Sequence, residues 1–249
     1  MSDKIVTAAI LVIGDEILSG RTKDRNIGYI AEYLAGIGVD LREARVVPDD
    51  EGEIVAALDA LRVRYTYVFT TGGIGPTHDD ITADAVAKAF GVAIDEDERV
   101  LAIMRRRYKP DELTPARRRM ARIPLGAALI ENPVSWAPGF RIGNVIVMAG
   151  VPSVMQAMLD CAAKGLETGV KLTVETIEAN AIPEGRYGDA LREIAAAHDE
   201  TIIGSYPSFA DGTFKNQIVV RGRDAEKVAA ARRAIEAMLA EIRGAAKPP

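Results

Sequence analysis

The chain has 249 residues, 48% hydrophobic and 27% charged, the balance of an ordinary globular protein with room for one sizeable α/β domain and a smaller one. A net charge of −5 argues against a general nucleic-acid binder, and the single cysteine, Cys161, excludes an internal disulfide and fits a reducing compartment. No apolar run reaches the about 18–20 residues that span a bilayer, so the chain reads as cytoplasmic with no membrane partner.

Residues 5–13 read as a buried first strand. Their apolar run ends in Gly14-Asp15-Glu16 without the small-residue cleavage site of a signal peptide. A polar loop runs to Asn26, and a helix follows to about Leu34, closed by Gly36 and Gly38. Residues 39–47 alternate enough for a second strand. Pro48-Asp49-Asp50 breaks it, and Ile54, Ala57, Leu58 and Leu61 have the spacing of an amphipathic helix. Residues 65–70 form the next strand, which stops in Gly72-Gly73-Ile74-Gly75 before a helix that Gly91 ends. Residues 96–123 read as largely helical, with breaks near Pro110 and Pro115. A strand at 145–148 leads into Gly150-Val151-Pro152-Ser153 and a helix to about Ala163. This rhythm predicts an α/β fold with a doubly wound, mostly parallel sheet, whose ligands gather at the carboxyl ends of the strands.

The pattern then changes. A strand at 173–179, a helix at 187–197, strands at 201–204 and 217–221 and a long helix at 224–243 predict a small split α+β unit. The expected domains are 1–169 and 170–243, with 244–249 a frayed tail.

The segment from Thr70 to Asp84 carries the most chemistry. Strand, glycine turn and helix start is the arrangement that lets main-chain N–H groups close on a phosphate. Asp79 and Asp80 in the same loop repel that phosphate unless a divalent cation lies between them. The motif therefore points to a metal-assisted phosphate site; the plainer reading is a tight turn with Asp80 as a helix cap. Asp49 and Asp50 have the same two readings: caps of the following helix, or a second carboxylate source facing the glycine loop.

Several segments in order resemble the CinA (competence/damage-inducible protein A) family. They are Gly14-Asp15-Glu16-Ile17-Leu18-Ser19-Gly20-Arg21 with Asn26 after it; Thr70 to Asp80; Asn132-Pro133 with Ala137-Pro138-Gly139-Phe140; and Gly150-Val151-Pro152-Ser153. The same region looks like the molybdopterin-binding domain of the MoaB and Mog proteins and like the N-terminal domain of eukaryotic FAD synthase. Residues 171–243, with Ile203 to Pro207 and Val219 to Gly222, resemble the small KH-like domain of CinA-type proteins. Two departures stand out. No deamidase-like segment follows, so that activity is not expected, and Met148-Ala149-Gly150 replaces a Leu-Pro-Gly, which predicts a looser loop.

The resemblance implies one of two chemistries at one glycine loop. The first is divalent-metal-dependent hydrolysis of a nucleotide pyrophosphate such as ADP-ribose or FAD. The second is binding, transfer or adenylylation of molybdopterin. A regulatory protein without turnover is a third reading. The implied cofactor is Mg²⁺ or Mn²⁺, with K⁺ assistance, because an oxygen-rich donor set suits hard cations rather than zinc. Small-molecule nucleotide or pterin ligands and a homo-oligomer, dimer or trimer, complete the expectation.

In this reading Asp49 and Asp80 are the catalytic residues, and Glu16, Asp79 and Asp80 hold the metal. Phosphate or ligand contacts are expected from Gly14, Ser19, Asn26, Thr71, Gly72, Gly73, Gly75, Thr77, His78, Asn132, Gly139, Gly150 and Ser153. Trp136 is a stacking platform or an anchor, and the arginine triplets 105–107 and 117–119 are solvated faces or reach distal phosphates. Gly185-Arg186-Tyr187-Gly188 matches a KH clamp in letters only. It follows a strand, and residues 171–249 hold 11 Lys and Arg against 12 Asp and Glu, so no nucleic acid is expected there.

Overall fold

The computed structural model describes residues 4–210 and 212–245. The chain divides into two units, residues 1–169 and 170–249. No helix among the described residues is long and apolar enough to cross a membrane.

In the first unit the order is β1 (Val6–Ile13), α1 (Asp15–Leu18), α2 (Asn26–Gly36), β2 (Val39–Val47), α3 (Glu51–Arg62), β3 (Tyr67–Thr71) and α4 (Thr82–Phe90). Then come β4 (Ile94–Glu96), α5 (Glu98–Arg105), α6 (Pro115–Arg119), β5 (Arg122–Pro124), β6 (Ala128–Ile130), β7 (Gly139–Ile142), β8 (Val145–Met148) and α7 (Pro152–Ala163). Six strands form one sheet in the order β2-β1-β3-β8-β7-β6. β2, β1, β3 and β8 are parallel, and β7 and β6 add an antiparallel margin.

The unbroken apolar run of β1 follows from burial on both faces. Ala9, Leu11 and Ile13 join the core under α3 and α4, whereas Ala8, Ile10 and Val12 join the one under α2 and α7. The direction of winding reverses between β1 and β3: β2 lies on one side of β1 and β3 on the other. That switch point is where an open α/β sheet leaves a crevice at its strand ends.

Three expectations change. The polar loop before Asn26 contains the one-turn helix α1. Residues 96–123 are not largely helical: α5 and α6 are short, and β4 pairs with β5. Strands β6 and β7 were not foreseen, although Gly143-Asn144, with Gly143 at φ 55°, is a two-residue turn that marks the β7–β8 hairpin.

The second unit contains β9 (Thr173–Glu178), a 3₁₀ turn (Glu184–Arg186), α8 (Gly188–Ala197), β10 (Ile202–Tyr206), β11 (Phe209–Ala210), β12 (Thr213–Phe214), β13 (Gln217–Gly222) and α9 (Ala225–Ala245). β10-β13-β9 is an antiparallel sheet, with Ile177, Ile218 and Val220 packed against Val228, Ile235 and Leu239 of α9. The β11–β12 hairpin is an unforeseen addition. Of the expected tail, Gly244 and Ala245 extend α9, and residues 246–249 lie outside the described residues.

Candidate functional site

Four strand ends supply the site. Gly14 follows β1, Asp49 comes two residues after β2, Gly72 follows β3 and Gly150 comes two residues after β8; all four line one cleft of about 530 Å³. Glu16, Gly73, Gly75, Asp79, Asp80 and Asn132 line it as well. Asp49 and Asp80, which come from different strand ends, therefore face one space.

The glycine loop is held from three sides. Gly72 donates its N–H to the Met148 carbonyl at 3.2 Å, and a Cβ on Gly72 would lie 2.1 Å from the Ile13 carbonyl oxygen. Gly73 sits at φ 66° with its missing Cβ 2.1 Å from Thr82 Oγ1. That hydroxyl donates to the Gly72 carbonyl at 3.0 Å, while Thr82 N–H donates to the Gly73 carbonyl at 3.0 Å. Among the described residues, the N–H groups of Gly73, Ile74 and Gly75 have no partner in the chain. Unpaired amides beside a helix start are suited to an anion.

The acidic residues divide their work. Asp50 caps α3, accepting from Glu53 N–H at 3.0 Å. Asp49 turns into the cleft and accepts from Asp15 N–H at 3.0 Å. Burial pushes the Asp49 carboxyl above its ordinary pKa. The Asp15 N–H opposes that shift, and the charges of Asp15, Glu16 and Asp79 add to it. Asp79 is held below its ordinary value, chiefly by the Thr77 hydroxyl and its own N–H. Two carboxylates in one site are thus pushed apart, the pattern of a base beside a permanent anion.

Asp80 is not the cap of α4, a position that Ile81 takes without side-chain bonding. Its Oδ2 instead accepts from Thr77 N–H at 2.8 Å and Thr77 Oγ1 at 2.5 Å, closing the loop. Arg119 steadies the same turn by donating to the Asp80 carbonyl at 3.2 Å.

The other expected contacts fall elsewhere. Asn26 and Thr71 border a side chamber rather than the cleft. Thr77 serves the loop, and the His78 side chain is 99% exposed. Ser19 ends α1 and Ser153 sits in the first turn of α7, both exposed and outside the cleft lining. Gly139 is a packing glycine, because a Cβ there would lie 2.3 Å from the Val147 carbonyl oxygen. Asn132 reaches the cleft wall but spends its amide on its own loop: Nδ2 donates to Ser135 Oγ and the Ala137 carbonyl, and Oδ1 accepts from Val134 and Ser135.

Trp136 stays outside the cleft lining at 39% exposure, although its neighbours Ser135 and Ala137 line it. The arginine triplets serve mostly as surface partners, with Arg105 on Glu98, Arg118 on Glu96 and Arg117 over the Tyr108 ring. Ala149 does more than loosen its loop, since its N–H, which a proline lacks, points at Met158 Sδ at 3.3 Å. The apolar lining, Met120, Val154 and Met158, carried no motif and was missed; only its place after the glycine segments could have pointed to it.

Among the described residues no group of three or more His, Cys, Asp or Glu is placed to hold a metal ion.

Comparison with known proteins agrees with this fold. Residues 9–167 match the model of the probable molybdopterin binding domain, and residues 171–243 match the middle domain of FAD synthase. A protein of Archaeoglobus fulgidus is 31% identical over 236 residues, covering 94% of this chain and 98% of its own. A CinA-like protein of Citrifermentans bemidjiense is 42% identical over 158 residues, which are 61% of this chain and 38% of that one. The crystal structure of CinA from Thermoplasma acidophilum, described as of unknown function, superposes with a TM-score of 0.61 at 38% identity, covering 64% of this chain and 97% of that chain. The chain belongs to the family of probable molybdopterin binding domains, with CinA-like proteins among its relatives.

Proposed function

We propose that the chain hydrolyses a nucleotide pyrophosphate of the ADP-ribose or FAD type in this cleft, with a divalent cation. The observation that carries the reading is the meeting of unbonded main-chain N–H groups at residues 73–75 with carboxylates from two other strand ends, Glu16 and Asp49.

The donor set fits a hard cation. The charged side chains on the cleft lining are all carboxylates, and among the described residues no three are placed to form a cage made by protein alone. Mg²⁺ habitually takes one or two carboxylates and completes its shell with substrate phosphates and water. One or two of Glu16, Asp79 and Asp80 would hold it. When bound, the cation supplies neutralisation of phosphate charge.

The chain's own groups do the rest. A water oxygen attacks one phosphorus, the bridging P–O bond breaks, and two phosphate monoesters leave. The N–H groups of residues 73–75 bind the phosphate oxygens that gain charge. Asp49, raised in pKa, accepts the proton of the attacking water. Arg119 and Thr77 keep the loop in shape around the anion.

The second reading is molybdopterin binding with transfer or adenylylation, favoured by the family model over residues 9–167. The second unit enters the proposal as a KH-like domain in which Gly185 to Gly188 are a structural turn rather than a nucleic-acid clamp, because they follow a strand, not a helix. The test is to incubate the protein with Mg²⁺ or Mn²⁺, with and without K⁺, and ADP-ribose, FAD, NAD or CoA. Release of AMP supports hydrolysis. No release together with tight pterin binding favours the second reading, and neither result favours a regulatory role.

A further inference from the structure

A side chamber of about 60 Å³ adjoins the cleft between the ends of β1 and β3 and the start of α2, sharing Ile13, Glu16, Thr22, Gly150 and Pro152 with it. Two polar side chains that border it are almost wholly buried, Asn26 at 4% and Thr71 at 1% exposure. Asn26 Nδ2 donates to the Gly150 carbonyl at 2.8 Å. That bond fixes the amide and leaves Oδ1 as an acceptor, and Oδ1 has no partner among the described residues. Thr71 Oγ1 has none either. Asp24 cannot serve Asn26 Oδ1, since a carboxylate has no hydrogen to donate, and its Oδ1 already accepts from Asn26 and Ile27 N–H.

Buried polar atoms are nearly always bonded, and an orphan needs an explanation such as a role in binding. Thr70 shows that burial alone does not define this place. Its hydroxyl is also buried and unpartnered, but strand alternation puts it on the Val68 face of β3, toward α3 and α4. Thr71 shares the Tyr67 and Phe69 face, toward α2 and α7.

We infer that the chamber is a subsite for a hydrogen-bond-donating group, a hydroxyl or an amine, on the ligand whose phosphates occupy the cleft, received by Asn26 Oδ1 and Thr71 Oγ1. The inference rests on the phosphate reading of the main cleft and extends it to the part of the ligand beyond the anhydride. A fully ionised phosphate has no hydrogen to offer Asn26 Oδ1, so the chamber discriminates between a bare pyrophosphate and one carrying a sugar or base.

The test measures binding of ADP-ribose, as a non-hydrolysable form with a methylene-bridged pyrophosphate, and of methylenediphosphonate in place of inorganic pyrophosphate, by calorimetry with Mg²⁺, for wild type, Thr71→Val and Thr70→Val. Thr71→Val is preferred to a change at Asn26, which would also break the tie to Gly150. Expected for Thr71→Val is a Kd for the ADP-ribose analogue about tenfold weaker, the effect of one lost hydrogen bond, with methylenediphosphonate affinity unchanged. Thr70→Val changes neither. Both variants are expected to melt at or above the wild-type temperature, because each removes an unbonded buried hydroxyl. Equal loss of both ligands in Thr71→Val, or no loss of the ADP-ribose analogue, overturns the inference. Wild-type binding of methylenediphosphonate without the ADP-ribose analogue overturns it while the phosphate reading survives; binding of neither overturns both.

Discussion

Asp49 accepts a hydrogen bond from the Asp15 main-chain N–H at 3.0 Å, and this bond ties the carboxyl end of β2 to that of β1 at the mouth of the cleft. The cost is a carboxyl half removed from water among other carboxylates. The tie and the cost together link stability to pH at Asp49, the residue proposed above as the base.

Because burial raises Asp49 above its ordinary pKa, the folded chain keeps this proton at pH values where the unfolded chain has released it. Its contribution to stability is full below the ordinary carboxylate pKa and is lost as pH rises through the raised value. Asp49→Asn removes that loss. The metal-free variant is expected to melt above wild type at pH 7, and the two melting temperatures should converge as pH falls to about 4. Thermal melts followed by circular dichroism from pH 4 to 8 check this, and a variant that melts lower at pH 7 contradicts it.

Asp50 is the neighbouring control. It caps α3 and does not line the cleft. Asp50→Ala is expected to cost about 1 kcal/mol of stability in urea unfolding while phosphate binding stays at the wild-type level. A loss of binding without a loss of stability would reverse the roles of the two aspartates.

Gly72 and Gly20 separate backbone strain from packing. Both have positive φ, 105° and 73°, but a Cβ at Gly20 meets nothing within 4 Å, whereas at Gly72 it meets the Ile13 carbonyl at 2.1 Å. Gly20→Ala should cost about 1–2 kcal/mol, the price of the left-handed conformation alone. Gly72→Ala should cost clearly more and shift the β1–β3 contact. Equal costs in urea titrations would show that the loop is not held as tightly as described.

How much of this was legible in the sequence depended on the range of the forces involved. β1, β3 and β8 announced themselves because burial on both faces demands uninterrupted apolar residues, and glycine segments marked where they end; β2, at the sheet edge, showed only a partial alternation closed by Pro48-Asp49-Asp50. The three-residue strands β4, β5 and β6 carry too few side chains to display a period, and their pairing is decided by partners distant in the chain. At the site, Asp49 and Asp50 are indistinguishable as letters; only the direction of the chain leaving β2 assigns one to the cleft and the other to the cap. Asn132 looked like a ligand contact because its segment matched a family motif, yet four bonds within its own loop account for it. Met158 and Val154 gave no signal, since an apolar residue facing a cleft and one facing a core look alike on a helix.

Asp80 lines the cleft, and its Oδ2 accepts from Thr77. Asp80→Asn keeps an oxygen able to accept from Thr77 N–H, so the loop survives while the charge is lost. AMP release is expected to fall about 10²–10³-fold if that charge is used in the transition state, with the melting temperature within a few degrees of wild type. An unchanged rate with an intact fold removes Asp80 from the mechanism.

The central claim is that Asp49 and the glycine loop act on one bound anhydride. Its most direct test is the rate of AMP release from ADP-ribose with Mg²⁺ or Mn²⁺, measured for wild type and Asp49→Asn side by side. The account predicts turnover by wild type and a rate about 10²–10⁴-fold lower in the variant, the usual range for a lost general base. Equal rates in the two proteins, or no AMP from either, would contradict it.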